Sequence, residues 1–510
     1  MEGAISAVTG ELVSRCISLL KRQYSRAASE QQKMERLQRL VLRVQTVIEE
    51  ADCRHITNSG MVAQLQMLAD AMYRGYHVAE SFRCRALLEE NPFMEEEEEV
   101  SDDQSPAAMS LATSLKRCRT VIFGSKNKAS NLGLDDALER LEAAAAHIAE
   151  FVVLLGGCER ILRRPYDAHL YADNFMFGRH AEKQKLLSFL LMQEQKHEGE
   201  GQLPVLPIIG GHAVGKKTLI AHVCNDSRVS SNFSAILHLR GDDLSRLEQH
   251  GRLMEGKTLV VVEFVSWVDE KDWARFYSSL SSMTKGSKVI ILGRQRNLEK
   301  FGTVKPILLN TLPFEEFSYL FKILAFGSTN PVEHPKLVRI ADDFAKELQS
   351  GWSLLTANVV ADVMRPNLNA CFWLWMLKRC RKVVERNISV FGKHPKILIE
   401  QGQPVDMTDF ELSPVAPFHL FMSRKADVSV KELPKVTFEQ LLVDLSSMKL
   451  LVDPSVRPRG EFNIITWESR IPPYSSFIAH HFVPRCDQVM PEDVPLSGRK
   501  RLRCACASLI

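Results

Sequence analysis

The sequence predicts a multidomain α and α/β protein: an N-terminal helical bundle, a P-loop parallel α/β domain, a helical subdomain and a mixed C-terminal region. Three observations carry this. Apolar residues recur three and four apart over much of residues 5–158. From Pro204 onward, short β-branched runs alternate with amphipathic segments. A G-x-x-x-x-G-K string follows the first of those runs. The length of 510 residues suits roughly three domains.

In the bundle, assigned to residues 1–160, Met34, Leu37, Val41, Val44 and Ile48 share one helical stripe. Leu134, Leu138, Leu141, Ala145, Ile148, Val152 and Leu155 repeat the rhythm, and Leu65, Leu68, Met72 and Tyr76 offer a third face. Stripes of this kind cover one another in a bundle. The acidic segment NPFMEEEEEVSDDQSPAAMS at 91–110 has no such period and reads as a flexible, solvated loop.

The second domain, 161–310, carries four predicted strands: VLPII (205–209), ILHL (236–239), LVVVEFV (259–265) and KVIIL (288–292). Separated by amphipathic segments, they indicate a parallel sheet with crossover helices. Helical patterns return over 311–400, where CFWLWMLKRC (371–380) has aromatic residues at helical spacing and reads as core. In the mixed region 401–510, EFNIITWESR reads as a strand ended by IPPYSS. No leucine-rich period of about 20 to 29 residues recurs.

Composition narrows the function classes. A net charge of +3 gives no ground for nucleic-acid binding. The eleven cysteines form neither C-x-x-C pairs nor a disulfide framework. The N-terminus lacks the apolar core of a signal peptide, Glu2 excludes the myristoylation pattern, and no apolar run nears the roughly 20 residues that span a bilayer. A cytoplasmic, soluble protein is expected. Arg499, Lys500, Arg501 and Arg503 beside Cys504 and Cys506 leave a nuclear or peripheral-membrane association open, with a disordered basic terminus as the default. His480, His481 and Cys486 match no standard metal spacing.

The loop in IIGGHAVGKKTLIAHV (208–223) is the main chemical signal. Gly210, Gly211 and Gly215 let backbone N–H groups converge on phosphate oxygens, the following helix start adds its dipole, and Lys216 reaches toward the outer phosphates. Such loops continue with a Ser or Thr whose hydroxyl ligates Mg²⁺. Here Lys217 stands in that place. An ammonium donates to phosphate and ligates no cation, while Thr218 comes one residue late, about 100° further round the helix. Glu263, ending LVVVE, is the candidate metal ligand, and Phe264 fills the position where a second acid would orient water.

In this order the elements resemble the NB-ARC nucleotide-binding switch of plant intracellular immune receptors. GSKVIILGR (286–294) is similar to the family's G-S-K-V-I-I-T-T-R and places Arg294 at its phosphate-sensing arginine. TLPFEEFSYLFKILAFG (311–327) resembles the next element, and GWSLLTA (351–357) sits where G-L-P-L-A is expected, with Ser353 for the proline. Met407-Thr408-Asp409 comes too soon to be the M-H-D motif. LYADNFMFGRHAEKQKLLSFL (170–190) resembles the linker whose F-G-R segment lies near adenine. QLQMLADAMYRGYHVAESF (64–82) resembles the acidic E-D-V-I-D helix of coiled-coil-type receptors, diluted by Arg74, Gly75, Tyr76 and His77. Contacts that depend on those acids are therefore in question.

The resemblance covers residues 5–400 and implies a defense protein that binds ADP or ATP as a switch and associates with itself or related receptors through its bundle. Gly210, Gly211, Gly215, Lys216, Lys217, Thr218 and Arg294 are the expected nucleotide contacts, Glu263 the expected metal contact, and Mg²⁺ recruitment is compromised. Two alternatives stand beside it. One is a nucleotide-independent adaptor or decoy pairing with intact receptors. The other is a weak turnover ATPase, opposed by Lys217 and Phe264.

Overall fold

The computed structural model describes residues 29–90, 127–160, 176–192, 203–241, 256–265, 267–280, 283–410, 419–424, 435–437 and 462–482. The acidic run at 91–110, Cys486 and the basic tail lie outside the described residues. Helices α1 (residues 29–52), α2 (Ser59–Glu90), α3 (Asn127–Ala145) and α4 (Ile148–Gly156) bury the expected stripes in one core, including Leu37, Val44, Leu65, Leu134 and Leu141. Gly75 lets α2 approach closely. A Cβ there would lie 2.6 Å from a Leu141 methyl and 2.7 Å from one of Val41. One expectation fails: Val152 is exposed and Phe151 is buried instead. The chain turns at residues 146–147 between α3 and α4, which resets the helical phase after Ala145.

The α/β domain starts with α5 (His180–Leu191) and β1 (Val205–Gly210), then α6 (Lys216–Cys224), α7 (Ser227–Asn232), β2 (Ala235–Arg240), β3 (Thr258–Glu263), α8 (Glu270–Ser279), β4 (Lys288–Gly293) and β5 (Ile307–Leu309). The strands form one parallel sheet in the order β2-β3-β4-β1-β5. Period-two alternation gives the inner strands β1, β3 and β4 two buried faces, while the edge strand β2 is only partly covered. Leu206, Ile208, Leu259, Val261, Ile290 and Leu292 pack with α5, α6 and α7, whereas Val205, Ile209, Val260, Val262, Val289 and Ile291 meet Trp273, Phe276 and Leu298. Pro207 is tolerated within β1 for a positional reason. Like Val205, whose N–H reaches Thr303, it turns its nitrogen toward the β5 side, where pairing begins only at Ile208.

Five helices follow: α9 (Phe314–Phe326), α10 (Pro335–Gly351), α11 (Leu354–Met364), α12 (Ala370–Phe391) and α13 (Pro395–Glu400). Trp373 is fully buried among them and donates to the carbonyls of Met364 and Asn367, so the aromatic run is core as expected. Beyond them lies a second sheet of β6 (Val405–Asp406), β7 (His419–Arg424), β8 (Lys435–Thr437), β9 (Phe462–Glu468) and β10 (Ser476–Phe482), ordered β6-β7-β10-β9-β8. Phe462, Ile464 and Ala479 join the helical core. His480 and His481 fall within β10, and the His480 ring lies 3.2 Å from the Asn463 side-chain oxygen. Among the described residues no group of three or more His, Cys, Asp or Glu is placed to hold a metal.

Candidate functional site

The phosphate-type loop joins the C-terminal end of β1 to α6, at the carboxyl edge where parallel sheets bind ligands. Its glycines are dictated by geometry. A Cβ on Gly210 would stand 2.6 Å from the Leu309 carbonyl of β5, and Gly215 caps α6 with φ +92°. Ala213 holds φ +50°, a left-handed conformation that costs a non-glycine residue roughly 1 to 3 kcal/mol and concentrates at ligand-binding turns. Lys216 Nζ donates to the Gly210 and Gly211 carbonyls at 2.8 and 2.6 Å. The loop is thus a tight glycine-rich turn with the Lys216 ammonium folded over its rim.

Glu263, the expected metal ligand, has a different partner. Its carboxylate pairs with the Lys217 ammonium at 2.6 Å, with side chains 18% and 43% exposed. The carboxylate thus faces a cation supplied by the chain itself. Arg240 lies opposite Glu263 in the β2–β3 register and adds positive charge. Phe264 packs in the sheet core edge-on to Trp273, so it serves packing and no acid–base step. Arg294 follows β4, which lies beside β1, and is exposed at the same edge. Thr218 is half-buried on α6.

Neighbouring segments converge on this edge. Met176 approaches Gly215, its methyl 3.6 Å from where a Cβ would sit. Gly178 and Arg179 both adopt positive φ, and Arg179 is buried with its guanidinium donating to the Asn310 carbonyl. Beside them Glu316 is buried, and loss of water raises its carboxyl to about 7. His212 of the loop, with Trp352, Ser353, Met376, Met407 and Phe410, lines an apolar cavity of about 110 Å³. Ser353, where a proline was expected, caps α11 by accepting from Thr356 N–H. Asp409 of the Met407-Thr408-Asp409 string is held by Arg386 at 2.6 Å, and that guanidinium keeps its carboxyl below the usual range.

The bundle docks on this assembly, which sequence reasoning left in question. Lys322 of α9 pairs with Glu80 of α2 and, at 3.1 Å, with Asp342 of α10. Burial alone would lower the Lys322 ammonium's affinity for its proton, but the two carboxylates outweigh it. The residues that dilute the acidic motif make contacts of their own. Arg74 lies 3.6 Å from Glu315, Tyr76 packs on Tyr319, and the His77 ring stands edge-on to Phe314. Phe177 joins Tyr73 and Tyr319, tying linker, bundle and helical subdomain together. Lys322 gave no sequence signal because it sits in the apolar run FSYLFKILAF.

Comparison with known proteins agrees with this layout. Residues 8–119 match the Rx N-terminal domain family. The chain is 24% identical over 383 residues to disease resistance protein RGA2 of Solanum bulbocastanum, covering 69% of this chain and 36% of the relative. Disease resistance proteins RGA1 and RGA4 of the same plant are 22% and 24% identical over 362 and 265 residues, covering 66% and 46% of this chain and 34% and 26% of theirs. The chain thus spans about a third of the length of the curated relatives it matches. With an Rx-type N-terminal domain and similarity to Solanum disease resistance proteins over about two thirds of its length, the chain is similar to plant NLR proteins.

Proposed function

We propose that this is an immune-receptor-like protein of plant defense whose NB-ARC-like module holds an adenine nucleotide, mainly ADP, at the Gly210–Lys216 loop. Turnover is negligible. The observation that carries the reading is the loop itself: a glycine cradle between β1 and α6, with the Lys216 ammonium at its rim. The nucleotide clamps a closed arrangement in which α2 lies on α9 and α10. Exchange for ATP loosens it and frees the bundle for association with a second copy or a related receptor. Such a change requires different affinities for the two states. Met176 from the linker and His212 beside Trp352 supply contacts through which the loop senses the other segments.

One observation favours the adaptor reading. Lys216 already spends hydrogen bonds on two loop carbonyls, so its ammonium is engaged without a phosphate. The nucleotide content of the purified, denatured chain separates the two. Close to one adenine nucleotide per chain, chiefly ADP, is expected; a chain that releases none is an adaptor.

A further inference from the structure

Loops of this pattern hold Mg²⁺ between the hydroxyl after the lysine and an acid on a nearby strand. In this chain those two positions are Lys217 and Glu263, bonded to each other at 2.6 Å. Mg²⁺ demands oxygen ligands at about 2.0 to 2.1 Å in a near-octahedral arrangement. The ammonium removes one ligand, occupies the other and repels the ion, with Arg240 across the register from Glu263 adding to the repulsion. A divalent ion does not fit here.

We propose that Lys217, anchored by Glu263, is a resident cation in the metal's place, so that the site takes the metal-free nucleotide and Mg²⁺ weakens binding. The inference rests on the nucleotide reading above. The ammonium has three donor hydrogens, and one bond to Glu263 leaves others for phosphate oxygens. At 43% exposure the lysine side chain is open to a ligand, whereas Glu263, at 18%, is the fixed end of the pair. Mg²⁺ in solution cancels two of the nucleotide's negative charges, and those charges are what Lys216 and Lys217 attract. The usual sign of metal dependence is thereby inverted. Thr218 offers no way back, since about 100° of helix rotation separates it from the required position.

The experiment is calorimetric titration of the nucleotide-stripped full chain with ATP and with ADP, in chelator and in excess Mg²⁺, for the natural sequence, Lys217→Thr and Lys217→Met. The natural chain is expected to bind several-fold more tightly in chelator. Lys217→Thr restores a hydroxyl and should bind more tightly with Mg²⁺. Lys217→Met should lose roughly tenfold or more in chelator, the cost of one charge-assisted contact. Tighter binding of ATP by the natural chain with Mg²⁺, or equal binding in both conditions, overturns the resident cation while leaving the nucleotide reading intact. No binding of either nucleotide by the natural chain in either condition overturns both.

Discussion

Two charge clusters in this molecule use the same residue types and serve opposite ends. At the loop, Lys217 and Glu263 pair near solvent; between bundle and subdomain, Lys322 is held by Glu80 and Asp342 with its side chain only 6% exposed. Exposure decides what each can do. A half-exposed pair contributes up to about 1 kcal/mol and can exchange a partner for a ligand at little cost. A buried cation between two carboxylates adds little net stability, yet is expensive to break, because each partner left behind is an uncompensated charge. The first arrangement suits a ligand site and the second a latch. Glu316 is a third case. Buried with no cation in contact strong enough to hold its charge, it keeps its proton up to about 7.

The largest effect is expected at the latch. Lys322→Met keeps the side-chain volume but strands Glu80 and Asp342, and should lower the stability of the full chain by about 3 to 5 kcal/mol. Denaturant unfolding reads the loss, and limited proteolysis reads the accompanying release of the bundle. An unchanged unfolding midpoint and protease pattern would mean that the triad does not hold α2 in place.

Glu316 should give a smaller effect with a definite sign. Its folded value, about 7, lies above the ordinary 4.5, so its favourable contribution is full below pH 4.5 and is lost as pH rises through 7. Glu316→Gln should therefore match the natural chain near pH 4.5 and exceed its stability at pH 8 by on the order of 2 to 3 kcal/mol. Equal pH slopes of the two chains would show that Glu316 ionises without penalty.

Much of this was legible in the sequence, for physical reasons that also mark where legibility ended. The loop could be read because its glycines are demanded by backbone geometry: Gly215 by its φ of +92°, Gly210 by the Leu309 carbonyl. Strands β1, β3 and β4 could be read because both faces are buried, leaving continuous apolar runs, and the partly covered β2 by its apolar ILHL. β5 could not, since three residues carry no period. β10 was hidden by its histidines. The turn at residues 146–147 has no proline or glycine to announce it, so Val152 was placed on the wrong face. Lys217 and Glu263 were each conspicuous, but their pairing depends on how α6 sits over β3, which no local pattern encodes.

The central claim, that the Gly210–Lys216 loop holds an adenine nucleotide, is tested most directly by titrating ADP into nucleotide-stripped natural chain and Lys216→Ala. Loss of the Lys216 ammonium should weaken binding by roughly ten- to hundredfold, the equivalent of about 1.5 to 3 kcal/mol. Identical affinities, or millimolar and weaker binding by both chains, would contradict the claim and leave the adaptor.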